Sequence, residues 1–255
     1  MLKRLQLVSH SSKHSQTSDA SPSRRDSDIY RPYGSMAAVT RQLQDEHSGT
    51  GDVGVAALLQ KKTKLALWIV SNCELTPGAQ RRMKLSEDFA KTSLGHRFDR
   101  RGGCFDDPVP RERLFETISE YKFYFSWENA HLCRDYVTEK LFRNAFLAGA
   151  VPVVWGAAKS DYLVPAHSVI FADDYATADE LAGYLRYLDG NATAYREYFK
   201  WRSSEMPAAG EAGSVGVEKL CDFLHDSAAR AGTHVKIISD LSGWFYGTEN
   251  AECKH

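Results

Sequence analysis

The chain has 255 residues, 43% of them hydrophobic and 11% aromatic, with a formal net charge of −1 at pH 7. That length buries one large core or two modest ones. The near-zero charge excludes the global basic field that nucleic acid or an acidic membrane surface selects, so no nucleic-acid partner is expected and any anion site must be local.

The opening "MLKRLQLVSHSSKHSQ" has two early basic residues but no apolar core of signal-peptide length. From Ser9 to Ser27 the chain is rich in Ser and charged residues, with too few apolar groups to offset the entropy of ordering them, which predicts disorder. At Thr63 the texture changes. "TKLALWIVS" is a strand-length apolar run, followed by the amphipathic "GAQRRMKLSEDFAK". The alternation continues with "RERLFETISEY" as helix, "KFYFSW" as strand, "TEKLFRNAFLAG" as helix, "AVPVVWG" and "SVIFAD" as strands and "TADELAGYLRYLD" as helix. Such spacing implies parallel strands with helical crossovers, a Rossmann-like α/β layer. "NATAYREYFKWRS" and "VGVEKLCDFLHDSAA" read as two closing helices, and "LSGWFYGTENAEC" as a tail that packs by its aromatics. The longest nearly apolar stretch, Ala145 to Ala158, is interrupted by Pro152 and too short to span a bilayer.

One loop stands out. "SWENAHLCRDYVTEK", residues 126–140, is polar and crowded with ionisable groups, yet joins two segments that both read as buried. Ligands of open parallel sheets bind beyond the carboxyl ends of the strands, where helix N-termini offer free N–H groups. Thr138 fits an N-cap, which puts Glu139 and Lys140 in the first turn. Glu139 agrees with the helix dipole there and Lys140 opposes it, a conflict that a phosphate or pyrophosphate would resolve together with the Tyr136 hydroxyl. The alternative is that Lys140 pairs with Glu139 or Asp135 on the surface. Arg82 could reach a phosphate at the same sheet edge, or Arg81, Arg82 and Lys84 could form a solvated helix face. Arg143 and Asn144 fit a polar face better than ligands, and Asn129 could bind a ligand or cap the loop. His131 has no second ligand at a convincing spacing, which argues against a metal site.

The stretch "YKFYFSWENAHLCRDYVTEKLFRNAFLAGAVPVVWGAAKSDYLVP" resembles the signature of α-1,3-fucosyltransferases, Golgi enzymes that transfer L-fucose from GDP-fucose to N-acetylglucosamine of glycans. The likeness resumes in "VIFADDYATADELAGYLRYLDGNATAYREYFKWR" and "LALWIVSNC", with an echo in "RRDSDIYRPYG". It implies a GT-B glycosyltransferase, of which residues 63–255 are the Rossmann-like GDP-fucose domain with closing helices and tail. Residues 1–62 are then disordered or the remnant of an acceptor domain that is otherwise missing. By matching motif positions, Lys140 falls on the pyrophosphate, Glu139 at the fucose, and Tyr136, Asn129 and Arg82 among the donor-binding residues, with Arg81 a rival for Arg82.

The resemblance implies GDP-fucose as donor substrate, a glycan acceptor bearing N-acetylglucosamine and no obligatory metal, because Arg and Lys neutralise the leaving diphosphate. It also implies a type II Golgi membrane protein whose anchor is absent from this sequence. Inverting transfer needs a general base, which the family carries in the acceptor domain. The competing expectations are a non-catalytic GDP-sugar-binding module and a GT-B transferase for another nucleotide sugar. Five cysteines suggest Cys104–Cys133 and Cys221–Cys253 bridges with Cys73 free. The sequon Asn191-Ala192-Thr193 sits between two helices, either as a glycan acceptor or as a helix cap.

Overall fold

The computed structural model describes residues 24–25, 30–46, 49–203 and 225. The expected second closing helix, the aromatic tail, the Cys221–Cys253 bridge and nearly all of the segment expected to be disordered lie outside them. Helix α1, Met36–Asp45, starts where Ser35 Oγ accepts the Ala38 N–H, and α2 covers Gly51–Gln60. Both fall within the stretch assigned to disorder or a domain remnant.

Five parallel strands follow: β1 Lys64–Ile69, β2 Phe98–Arg101, β3 Tyr121–Trp127, β4 Val151–Trp155 and β5 Ile170–Phe171, in the order β2-β1-β3-β4-β5. The crossovers are α3 Pro77–Ala90, α4 Leu114–Ser119 and a π-helix, Lys140–Leu147. Helices α5 Ala178–Gly190 and α6 Ala192–Glu197 then close the layer. Strand β2 has no counterpart in the expected elements, and β5 is shorter than "SVIFAD". The helix expected through 191–203 is α6 followed by a separate 3₁₀ turn, Lys200–Arg202.

The central strands are apolar on both faces because both are covered. Trp68, Phe123, Phe125, Trp127, Val153 and Trp155 pack towards Phe89 of α3 and Leu181 and Leu185 of α5. On the opposite face, Leu67 and Tyr124 meet Ile118 of α4 and Ala145 of the π-helix, while Val154 joins a second cluster of Phe142, Phe146 and α1 residues Met36, Val39 and Leu43. Helix α1 is thus part of the layered core. The strand order reverses between β1 and β3, which makes the crevice beyond their carboxyl ends the topological switch point.

Candidate functional site

Arg82 occupies that crevice. Thr76 caps α3 by accepting the Ala79 N–H at 3.0 Å, and Pro77 starts the helix, so Arg82 falls on its inner face with 2% exposure. Its Nη1 donates to Trp127 O at 2.8 Å and its Nη2 to Asn72 O at 2.9 Å, tying the ends of β3 and β1 together. Nε is buried without a partner, and among the described residues no carboxylate forms an ion pair with this guanidinium. Burial pushes its pKa down, against the pull of nearby Glu128. The solvated-face alternative therefore fails for Arg82. Arg81 turns outward to His131, whose ring stacks on Trp155, and Lys84 pairs with Asp88 on the surface.

The loop after β3 is held by a carboxylate that the sequence reading did not single out. Glu128, 1% exposed, accepts from the Thr138 backbone N–H at 2.8 Å and the Thr138 hydroxyl at 2.9 Å, and pairs with Lys140 Nζ at 3.0 Å. Thr138 Oγ1 lies 2.7 Å from the same ammonium. Thr138 therefore bridges Glu128 and Lys140 rather than capping the helix, and Glu139 stands at the cap position. Glu139 Oε1 is 3.6 Å from Lys140 Nζ, its carboxylate 40% exposed. With bonds to Glu128 and Thr138, Lys140 keeps one N–H for a further acceptor. The signal that could have found Glu128 is its place directly after the aromatic-rich strand "YKFYFSW", where a buried acid needs a cation.

Two more of the expected residues meet each other: the Tyr136 hydroxyl donates to Asn129 Oδ1 at 2.8 Å. The backbone carbonyl of Asn129 accepts from the Thr76 hydroxyl, which joins this loop to the start of α3. Glycines allow that approach. A Cβ on Gly78 would lie 2.6 Å from Asn129 O, and one on Gly156, at φ +115°, 2.7 Å from Ala130 O. Arg143 does not enter the crevice and lies over the Phe115 ring. Asn144, expected on a polar face, is buried and bonds the Tyr124 side chain.

A strap from the N-terminal side covers the outer flank. Asp135, in left-handed backbone at φ 58°, accepts from the backbone N–H of Arg25 at 3.0 Å and from its guanidinium. The guanidinium also reaches Asp161 at 2.8 Å, and Asp161 accepts the Asp135 N–H at 3.1 Å. Tyr33 meets Tyr136 edge to face. Asp135 thus serves Arg25 and not Lys140.

A disulfide joins Cys73 to Cys104 across the ends of β1 and β2. This corrects the expected Cys104–Cys133 bridge and the free Cys73. The two ends are adjacent because β2 pairs with β1, and β2 was not foreseen. Cys133 is disulfide-bonded as well. Among the described residues there is no cluster of three or more His, Cys, Asp or Glu suited to a metal ion, and no helix long and apolar enough to cross a membrane.

The family model described as "Glycosyltransferase family 10 (fucosyltransferase) C-term" matches residues 59–244. The chain is 38% identical over 225 residues to alpha-(1,3)-fucosyltransferase 4 of Bos taurus, covering 87% of this chain and 52% of that protein. It is 39% identical over 226 residues to the Homo sapiens protein of the same name, covering 87% and 39%. It is also 35% identical over 228 residues to 4-galactosyl-N-acetylglucosaminide 3-alpha-L-fucosyltransferase 9 of Cricetulus griseus, covering 88% and 56%. The chain spans about half the length of these curated relatives. A crystal structure of an alpha1,3-fucosyltransferase shares the fold at a TM-score of 0.51 and 22% identity, over 70% of this chain and 50% of that one. Another, solved with GDP, gives 0.50 and 22% over 68% and 49%.

Proposed function

Since this chain belongs to glycosyltransferase family 10, the fucosyltransferases, we propose that it binds GDP-fucose in the β1/β3 crevice and serves α-1,3 transfer of L-fucose, with inversion, to N-acetylglucosamine of glycoprotein or glycolipid glycans. The observation that carries this reading is the buried Arg82 guanidinium, without an ion-paired carboxylate among the described residues and placed at the switch point, near the Glu128 that Lys140 pairs with. A diphosphate supplies the negative charge that Arg82 lacks and an acceptor for the N–H that Lys140 keeps, and two fixed cations stabilise it as GDP leaves without any need for a metal. Tyr136 and Asn129 form the adjoining polar wall. Glu139 faces the sugar end, where positive charge develops as the bond to GDP breaks, and its carboxylate stabilises that state.

The site works in the Golgi lumen, held to the membrane through an anchor. Calorimetry with GDP and with UDP tests the donor, and GDP binding with UDP excluded is the expected result. A second reading is a GDP-sugar-binding module without transfer. It predicts GDP binding with no release of GDP from GDP-fucose on addition of acceptor. Equal affinity for UDP would overturn both.

A further inference from the structure

Asn191 ends α5 and begins α6, and its amide divides the work between its two ends. Oδ1 accepts the Ala194 N–H at 3.0 Å, which is the cap, while Nδ2 points the other way and donates to the Tyr187 hydroxyl at 3.2 Å. Tyr187 is 54% exposed, Ala192 and Thr193 are exposed, and a Cβ on the neighbouring Gly190 would meet nothing within 4 Å. The cap therefore needs the carbonyl, and the nitrogen faces open solvent. Capping and glycosylation, rival readings of Asn191-Ala192-Thr193 in the sequence, use different atoms and are compatible. The disulfides at Cys73–Cys104 and Cys133 place the chain in an oxidising compartment, where Asn-x-Thr acceptors meet the glycosylation machinery.

We propose that Asn191 carries an N-linked glycan. In the step that installs it, Nδ2 attacks C1 of an oligosaccharide borne on a lipid diphosphate. The N–C1 bond forms, the C1–O bond breaks, the lipid diphosphate departs with the electron pair, and one amide proton goes to a base of the transferase. The amide keeps its carbonyl for Ala194 and one N–H for Tyr187.

The glycan projects from the end of the fold opposite the crevice. Asp189, two residues earlier, accepts from Lys122 Nζ, and Tyr195 donates to Lys122 O, so this turn sits at the start of β3. The crevice opens beyond Trp127, about 16 Å further along the strand. A glycan here shields α5 and α6 and leaves the nucleotide site open.

The test is expression of the full chain behind a cleavable secretory signal in a eukaryotic cell, with intact mass measured before and after peptide N-glycosidase. One glycan's mass should be lost on digestion. Thr193→Ala should abolish that loss while leaving the Asn191 cap intact, and Thr193→Ser should keep it. An undigested mass equal to the digested one, in a chain whose Cys73–Cys104 bridge is formed, overturns the proposal. A bridge that fails to form overturns it as well, by removing its compartment. GDP affinity should agree within twofold between wild type and Thr193→Ala. A failure of nucleotide binding is thus read separately from the glycan.

Discussion

The Lys140 ammonium is held 3.0 Å from a Glu128 carboxylate that is almost wholly buried, so the cation assigned to the donor diphosphate is also the counter-charge that lets the loop close. Removing it does two things at once. Lys140→Ala should weaken GDP binding by about 1.5–3 kcal/mol through loss of a charge-assisted bond. It should also lower stability by about 3–5 kcal/mol, because Glu128 is left buried and unpaired. Lys140→Ala combined with Glu128→Gln separates the two: thermal melts should recover much of the lost stability, while calorimetry should still show the weakened GDP binding. Recovery of affinity in the double variant would remove Lys140 from the ligand.

Glu139 is the more exposed carboxylate beside the same ammonium, and its bond to the loop is long. Glu139→Gln should leave the melting curve and GDP affinity close to wild type. In a fucosyl-transfer assay it should lower kcat by roughly 10²-fold, the scale of losing one well-placed electrostatic contact. A variant that keeps most of its turnover would exclude this role, and one that melts early would make the carboxylate a structural element of the loop.

Arg25 tests whether the strap positions the loop. Asp135 and Asp161 have side chains 3% and 6% exposed, and Arg25 bonds both. Arg25→Ala should cost about 1–3 kcal/mol, less than a fully buried pair because the guanidinium is partly solvated. Amide hydrogen exchange over residues 132–138 should speed up, and GDP affinity should fall several-fold, with Arg25→Lys restoring part of both. Unchanged exchange in that segment would show that the loop holds its own shape.

Lys62, just before β1, predicts a pH dependence. Burial, together with the charges of Arg202 and Lys61, pushes its pKa down to about 7. The unfolded chain then binds the extra proton between about pH 7 and the ordinary lysine value, so stability rises as pH increases through that window, and the cost of charging is complete below it. Melting temperatures from pH 7 to 9 should climb more steeply in wild type than in Lys62→Met. Parallel slopes would show that the ammonium is not strained by its site.

Much of the fold could be read from the chain because its central strands are continuous apolar runs and its crossover helices are periodic. Strand β2 escaped because "FDRR" buries only Phe98 fully and is specified by its pairing with β1, a contact no local pattern reveals. The error in the disulfide followed from the same gap, since Cys104 lies beside Cys73 only once β2 is in place. In the candidate site, Lys140, Tyr136 and Asn129 draw attention in the sequence because they crowd one loop. The closer partner of Lys140 does not. Of the neighbours at positions 135 and 139 only Glu139 pairs with it, at 3.6 Å, whereas Glu128 comes twelve residues earlier and reaches it at 3.0 Å by loop closure. Arg82 was ambiguous because helical spacing alone does not say which of two adjacent arginines turns inward.

The helix that begins at Lys140 is wound as a π-helix, so its residues turn more slowly about the axis than in an α-helix. Its phase is therefore set by the number of residues it contains. Rewinding the same residues as an ordinary α-helix, with the buried Phe146 kept in the core, would turn the amino end by about 100°, one residue's share of an α-helical turn. Lys140 would be carried out of the crevice without any change in its chemistry. Deleting one residue between Leu141 and Leu147 together with that rewinding would cancel the turn and leave Lys140 close to its present aim. Winding and residue count along this helix are therefore constrained together, by aim as well as by packing.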